Sequence, residues 1–251
     1  MSSPALETRG LTKAFGALVV ANAIDFRLER GARHALIGPN GAGKSSFVNL
    51  VTGALPANAG QVFLDGADVT HLPEAARVKR GLVRTFQITA LFRGLSVLEN
   101  VVLGVCECDG VAGNPWHPIG YHRGAIEKAY ALIERVGLTD DAGQPVGTLA
   151  YGRQRLIEIA VALALEPSVL LLDEPAAGVP SGETARIIET IESLSPDIAV
   201  LIIDHDMNLV FRLAQRITVL VQGSVLVEGP PQAISTHPEV RRVYLGERFT
   251  R

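Results

Sequence analysis

Apolar and β-branched residues over 6–15 and again over 24–28 read as strands. A third strand, from Arg33 to Ile37, runs straight into a glycine-rich turn. The run Gln61-Val62-Phe63-Leu64, closed by Asp65-Gly66, is expected to form the next. A helix is expected from Pro73 to Arg80, with proline in its first turn and basic residues at its end. The pattern then changes to helical spacing. Ser96 is placed to cap a helix over Val97 to Val105 with Glu99 at the capping-box position, and Ile126 to Val136 repeats the helical period after a Gly/Pro-rich stretch. From Val169 onward strand and helix alternate: Val169 to Leu172, a helix near Gly182 to Ser193, Ala199 to Ile203, a helix over Met207 to Ala214, then Ile217 to Val221 and Ser224 to Val227 around Gln222-Gly223. The tail from His237 to Gly246 is expected to be a short docked helix.

Strands before and after a helical middle imply one α/β core interrupted by an insertion. The expected division is a core of residues 1–86 and 167–251, with an antiparallel β part, and a helical subdomain over 87–166. A chain of 251 residues has ample length for this, and it contains no internal repeat or low-complexity tract.

Composition narrows the partners. At 47% hydrophobic residues and a net charge of −3, the chain lacks the basic excess of a nucleic-acid binder. No apolar run reaches the roughly 18–20 residues that span a bilayer, and no signal-peptide core follows Met1, so a cytoplasmic protein is expected. Cys106 and Cys108 stand two apart with no Cys/His cluster near them, which implies neither a bridge nor a metal.

Two segments carry the chemistry. Gly38-Pro39-Asn40-Gly41-Ala42-Gly43-Lys44-Ser45, followed by Ser46, fits the G-x-x-x-x-G-K-[S/T] loop, in which backbone N–H groups, a helix N-terminus and a lysine charge surround a polyphosphate. The strand before it and the helix after it are what that mechanism requires. The second segment, Val169-Leu170-Leu171-Leu172-Asp173-Glu174-Pro175, is an apolar strand that delivers two acids at its carboxyl end, where ligands of parallel sheets bind. Asp173 is then placed to help hold a magnesium ion and Glu174 to polarise a water. Acids after a strand are also commonly just solvated, so it is the pairing with the loop that gives them meaning.

Leu149-Ala150-Tyr151-Gly152-Arg153-Gln154-Arg155, ahead of an apolar helix, makes the resemblance specific. The chain resembles an ATP-binding cassette (ABC) ATPase over essentially its whole length, and closest within that family are the ATP-binding subunits of branched-chain amino acid importers. That likeness rests on Ala150-Tyr151-Gly152 in place of Ser-Gly-Gly, on Ile203-Asp204-His205-Asp206-Met207, and on the Val243-Tyr244-Leu245-Gly246-Glu247 ending. It implies a P-loop ATPase with a RecA-like α/β core, an antiparallel β subdomain and a helical insertion.

It also implies roles. Gln87 is similar to the family's Q-loop glutamine, a magnesium and water ligand; His205 to the switch histidine that contacts the γ-phosphate; and Phe15 to the aromatic residue that stacks on adenine. From the residues alone, His205 also reads as a polar strand-end residue and Phe15 as core. The turn Ala150, Tyr151, Gly152, Arg153 and Gln154 is expected to face the ATP of a second copy or of a homologous ATPase subunit. The usual D-loop Asp is missing from Ala176-Ala177-Gly178-Val179-Pro180-Ser181. Implied partners are integral membrane permease subunits at the cytoplasmic face of the inner membrane and, indirectly, an extracytoplasmic solute-binding protein, with no nucleic acid. Leu91-Phe92, Leu95 and Val97-Leu98 are expected to line a groove for a permease helix, with buried core as the alternative. Rival functions are an ATPase for lipid or lipopolysaccharide export and a soluble ABC protein acting on ribosomes or DNA. Tandem cassettes or long coiled-coil insertions would mark the latter.

Overall fold

The computed structural model describes residues 3–85, 91–110 and 123–245. The chain divides into two compact units, one made of residues 1–82, 168–174 and 195–251, the other of 83–167 and 175–194.

In the first unit, β1 (Leu6–Phe15) and β2 (Leu18–Leu28) form a hairpin, and β1 also pairs antiparallel with β4 (Ala59–Leu64), which β5 (Ala67–Asp68) extends. A second sheet is built on β3 (Arg33–Ile37), which lies in parallel between β8 (Ala199–Ile203) and β9 (Arg216–Val221). β7 (Val169–Asp173) pairs in parallel with β8, and β10 (Ser224–Gly229) closes the far side antiparallel to β9. The order of these strands is β10-β9-β3-β8-β7, and β6 (Leu82–Arg84) carries the chain from this unit into the second. β7 and β8 are buried at every position, which is why their sequences are continuous apolar runs rather than alternating ones. Register does the positioning: Leu36 and Asp173 both align with Ile203, so the carboxyl ends of β3, β7 and β8 finish level.

Helix α1 (Lys44–Thr52) starts at that edge and buries Phe47, whose ring meets Phe26 edge-on at 5.3 Å. Beyond β5 comes α2 (Glu74–Val78), shorter than the sequence pattern suggests. α7 (Met207–Leu213) precedes β9, and α8 (Pro231–Thr236) and α9 (Pro238–Val240) follow β10. α8 has no counterpart in the sequence expectations, and β2 begins at Leu18 instead of Ile24 because pairing with β1 carries the strand through Ala21-Asn22-Ala23, residues of low β propensity.

The second unit is helical. α3 (Val97–Cys108) opens on the expected capping box, with Ser96 Oγ accepting from Glu99 N–H and Glu99 accepting from Ser96 N–H. It packs with α4 (Arg123–Arg135) and α5 (Tyr151–Ala164). α6 (Ser181–Glu192) belongs to this unit too, although the sequence pattern assigns it to the core. Arg186 donates to the Gly137 carbonyl and Arg135 to that of Ser193 at 3.1 Å, contacts between side chains and helix ends that no sequence pattern announces. Cys106 is a buried free thiol and Cys108 an exposed one. Among the described residues no helix is long and apolar enough to cross a membrane.

Candidate active site

The glycine-rich segment is the turn between β3 and α1. Gly43 precedes the helix at φ 102°, and a β-carbon there would stand 2.4 Å from the Val20 carbonyl oxygen, so only glycine fits. No side chain caps this helix start, which leaves its first turn of N–H groups without a side-chain acceptor. Lys44 folds back over the loop, donating to the carbonyls of Gly38 at 2.7 Å and Pro39 at 3.1 Å. Half-burial pulls the Lys44 ammonium below its ordinary pKa, while the Glu174 and Asp173 carboxylates work against that fall. The lysine therefore lies within the field of both acids. Asn40, Gly41 and Ser45 are exposed, Pro39 and Ser46 are partly covered, and Gly38 and Ala42 are buried.

Asp173 is buried at the end of β7. Glu174 follows at φ 47°, a left-handed conformation that costs a non-glycine residue free energy, while its N–H still donates to Ile203 at 2.8 Å. The turn throws its carboxylate toward His205, whose Nδ1 lies 3.3 Å from Glu174 Oε1. Asp204, quoted above only as part of its segment, has a role of its own. Its buried carboxylate accepts the N–H groups of His205 (2.7 Å) and Asp206 (2.9 Å) and so fixes the segment that presents the histidine. Burial holds the Asp204 carboxyl above its usual range despite those two bonds. An acid directly after five buried apolar residues was the available signal.

Phe15 is 53% exposed at the hairpin end, with the Lys13 ammonium 5.1 Å from its ring centre, so it is not core. The same hairpin passes the loop, where Asn22 N–H donates to Gly223 at 2.8 Å and Gly223 N–H to Ala42 at 2.9 Å. Gln87 lies outside the described residues.

In the second unit, Ala150 is the N-cap of α5 and offers it no side-chain bond. Tyr151 is partly exposed and packs between Gly178 and the Arg155 guanidinium, whose centre is 5.1 Å from the ring. Gln154 turns back to donate to the Leu149 carbonyl at 2.8 Å. Arg153 donates to both oxygens of the buried Asp141 carboxylate at 2.6 Å. The Gln154 and Arg153 side chains are thus engaged within the unit, which leaves the backbone N–H groups of the turn as its donors to an incoming group.

The donor types suit a magnesium nucleotide. Magnesium takes hard oxygen ligands, one or two from the protein and the rest from phosphates and water, and an exposed Ser45 hydroxyl with a buried Asp173 carboxylate supplies such a pair.

Residues 21–177 match the family described as ABC transporter, and residues 224–250 the one described as Branched-chain amino acid ATP-binding cassette transporter. The chain is 39% identical to the high-affinity branched-chain amino acid transport ATP-binding protein BraF of Pseudomonas aeruginosa, over 98% of this chain and 100% of that protein. It is 37% identical to the protein of the same description, LivG, of Escherichia coli K12, with the same coverage. Among solved structures, the ADP conformation of an ATP-binding cassette of an ABC transporter aligns with a TM-score of 0.84 and 28% identity, over 98% of this chain and 100% of that one. A nucleotide-free cassette aligns with the same TM-score and identity over 96% and 98%.

Proposed function

This chain belongs to the ABC transporter family and is an ATPase subunit, and from that premise we propose that it powers a membrane importer for branched-chain or related amino acids. The observation that carries the catalytic part is the level ending of β3, β7 and β8, which sets Lys44, Asp173, Glu174 and His205 at one edge. The match of residues 224–250 to a family described by branched-chain amino acids supports the solute class over lipid export.

Hydrolysis is in-line attack of water on the γ-phosphoryl, helped by positioning and charge neutralisation. Lys44 would move from the Gly38 and Pro39 carbonyls onto β- and γ-oxygens, with N–H groups of the loop and the first turn of α1 as further donors. Glu174 would accept the proton of the attacking water, and His205 would both orient that carboxylate and meet the γ-phosphate. Ser45 and Asp173 would hold magnesium, which supplies charge neutralisation at the phosphates, with Gln87 joining them. Phe15 would stack on the adenine, a contact worth about 1–3 kcal/mol per base in nucleic-acid complexes.

Two cassettes would act as a pair, each nucleotide lying against the Ala150-Tyr151-Gly152 turn of the other copy or of a homologous subunit. The assembly would include permease subunits, bind the cytoplasmic face of the inner membrane without nucleic acid, and receive solute from an extracytoplasmic binding protein. The test is to co-purify the chain with its permeases in vesicles and measure ATPase against a panel of binding proteins and solutes. Stimulation by leucine-class amino acids is expected, and stimulation by lipid alone would overturn the solute class.

A further inference from the structure

The start of α5 is not vacant. A β-carbon on Gly152 would stand 2.1 Å from Glu183 Oε2 and 3.1 Å from its Cδ, so the Glu183 carboxylate lies directly on the glycine of the turn. Glu183 Oε2 is buried and accepts no hydrogen bond among the described residues. The same residue sits in the first turn of α6, its own N–H donating to Pro180 at 2.9 Å. One anion therefore stands between two helix N-termini, of which α5 has an N-cap alanine with no capping side chain and α6 an N-cap proline with none. The positive ends of both helix dipoles attract it, and that attraction offsets the cost of burying an oxygen that accepts no hydrogen bond.

We infer that Glu183 is a built-in anionic occupant of the Ala150-Tyr151-Gly152 turn, which holds the place of a phosphate and opposes ATP-driven pairing until a second copy's nucleotide displaces it. The inference rests on the proposed role of this turn as the trans phosphate site. The two anions compete: a phosphate brought to the N–H groups of this turn comes beside a carboxylate oxygen that stands against the β-carbon side of Gly152, and like charges there repel. Pairing must include withdrawal of Glu183, and its free energy is reduced by whatever the carboxylate gains from the two helix ends. Neutralising the side chain removes that competition. Each helix terminus contributes up to about a factor of ten in such a charge interaction, so a tenfold tighter pair is the expected scale.

The experiment uses the full chain in the hydrolysis-blocked Glu174→Gln background, with ATP and magnesium, and reads the monomer–dimer constant by sedimentation. Adding Glu183→Gln or Glu183→Ala is expected to tighten the dimer about tenfold while monomer affinity for a fluorescent ATP analogue stays unchanged. A purely structural role predicts the opposite sign: lower thermal stability and a dimer that is unchanged or weaker. That outcome in both variants overturns the inference and leaves the trans-site reading standing. Absence of any ATP-dependent dimer in Glu174→Gln itself overturns the trans-site reading, and the inference with it.

Discussion

Glu174 Oε1 lies 3.3 Å from His205 Nδ1, and the contact exists because Glu174 adopts φ 47°. A right-handed or extended backbone at that position would aim the carboxylate elsewhere. The strain is maintained by the Glu174 N–H bond to Ile203 on the adjoining strand and by Asp204, which fixes the backbone on the histidine's side.

Replacing Glu174 with Gln keeps the shape and removes the proton acceptor. Single-turnover ATP hydrolysis is expected to fall about 10²–10⁴-fold with ATP affinity nearly intact, the scale of a general base. A loss under about tenfold would exclude Glu174 as the base. Lys44→Ala should act on the other quantity, weakening ATP binding itself, as measured by equilibrium titration, because it removes a charge-assisted contact to phosphate.

His34 supplies a pH test away from the chemistry. It is buried in β3 beside Phe26, with Nε2 2.8 Å from Thr218 Oγ1, and its pKa is about 4. Burial is the main cause and Arg216 reinforces it, while Glu228 and the Arg27 backbone oppose it. The folded value lies below the unfolded one near 6.5, so the unfolded chain takes the proton first. Stability from this group is complete above about pH 6.5 and is lost as pH falls through 4, roughly 3 kcal/mol in all. Urea unfolding at intervals from pH 7.5 to 4 should show that slope in the native chain and a shallower one in His34→Leu. Equal slopes would remove His34 as the cause.

Arg77 is a buried cation that serves backbone. Its guanidinium donates to the carbonyls of Leu50, Val51, Thr70 and Leu72 at 2.5–3.0 Å, so it closes the C-terminal end of α1 and ties it to the turn before α2. Arg77→Met removes the guanidinium from all four carbonyls, of which Leu50 keeps the Gly53 N–H, and should cost about 2–3 kcal/mol, lowering Tm by roughly 5–10 °C. Arg77→Lys should recover only part of that, since one ammonium cannot span four carbonyls. Calorimetry of the three proteins decides it, and a Tm for Arg77→Met within about 2 °C of the native one would refute this role.

How much of this was legible in the residues follows from the range of the forces involved. The phosphate loop, the buried strand ending in Asp173 and the Ser96 cap are local devices whose chemistry is written in consecutive residues. Leu36, Ile203 and Asp173 become level only through β-sheet register, and Arg77 and Glu183 act on segments some thirty residues away in sequence. Their roles depend on carbonyls and helix ends that no pattern of side chains displays. α6 shows the same limit: its amphipathic sequence identifies a helix, while its unit is set by contacts at Gly137 and Gly152.

The expected permease groove can now be sharpened. Val97 is fully buried and so is not a lining residue, whereas Phe92 is 61% exposed. Asn100 explains how so large a ring stays outside: buried in α3, it accepts from Phe92 N–H at 2.8 Å and donates back to the Phe92 carbonyl at 3.1 Å and to that of Ser96 at 2.9 Å. An exposed aromatic held by a rigid, hydrogen-bonded backbone loses little entropy when a partner covers it, which is the property of an interface anchor. Phe92→Ala should therefore leave ATP turnover of the isolated subunit within about twofold of native and lower solute-stimulated turnover of the assembled transporter by about tenfold or more. A cysteine at Arg93, next to the anchor and itself exposed, should crosslink to a cysteine on a permease's cytoplasmic helix. Native stimulation in Phe92→Ala, together with no crosslink in an active complex, would place the permease elsewhere. Asn100→Ala separates the two parts of the idea: with Phe92 retained and its clamp removed, stimulation should fall partway, because the ring remains available and only its order is lost.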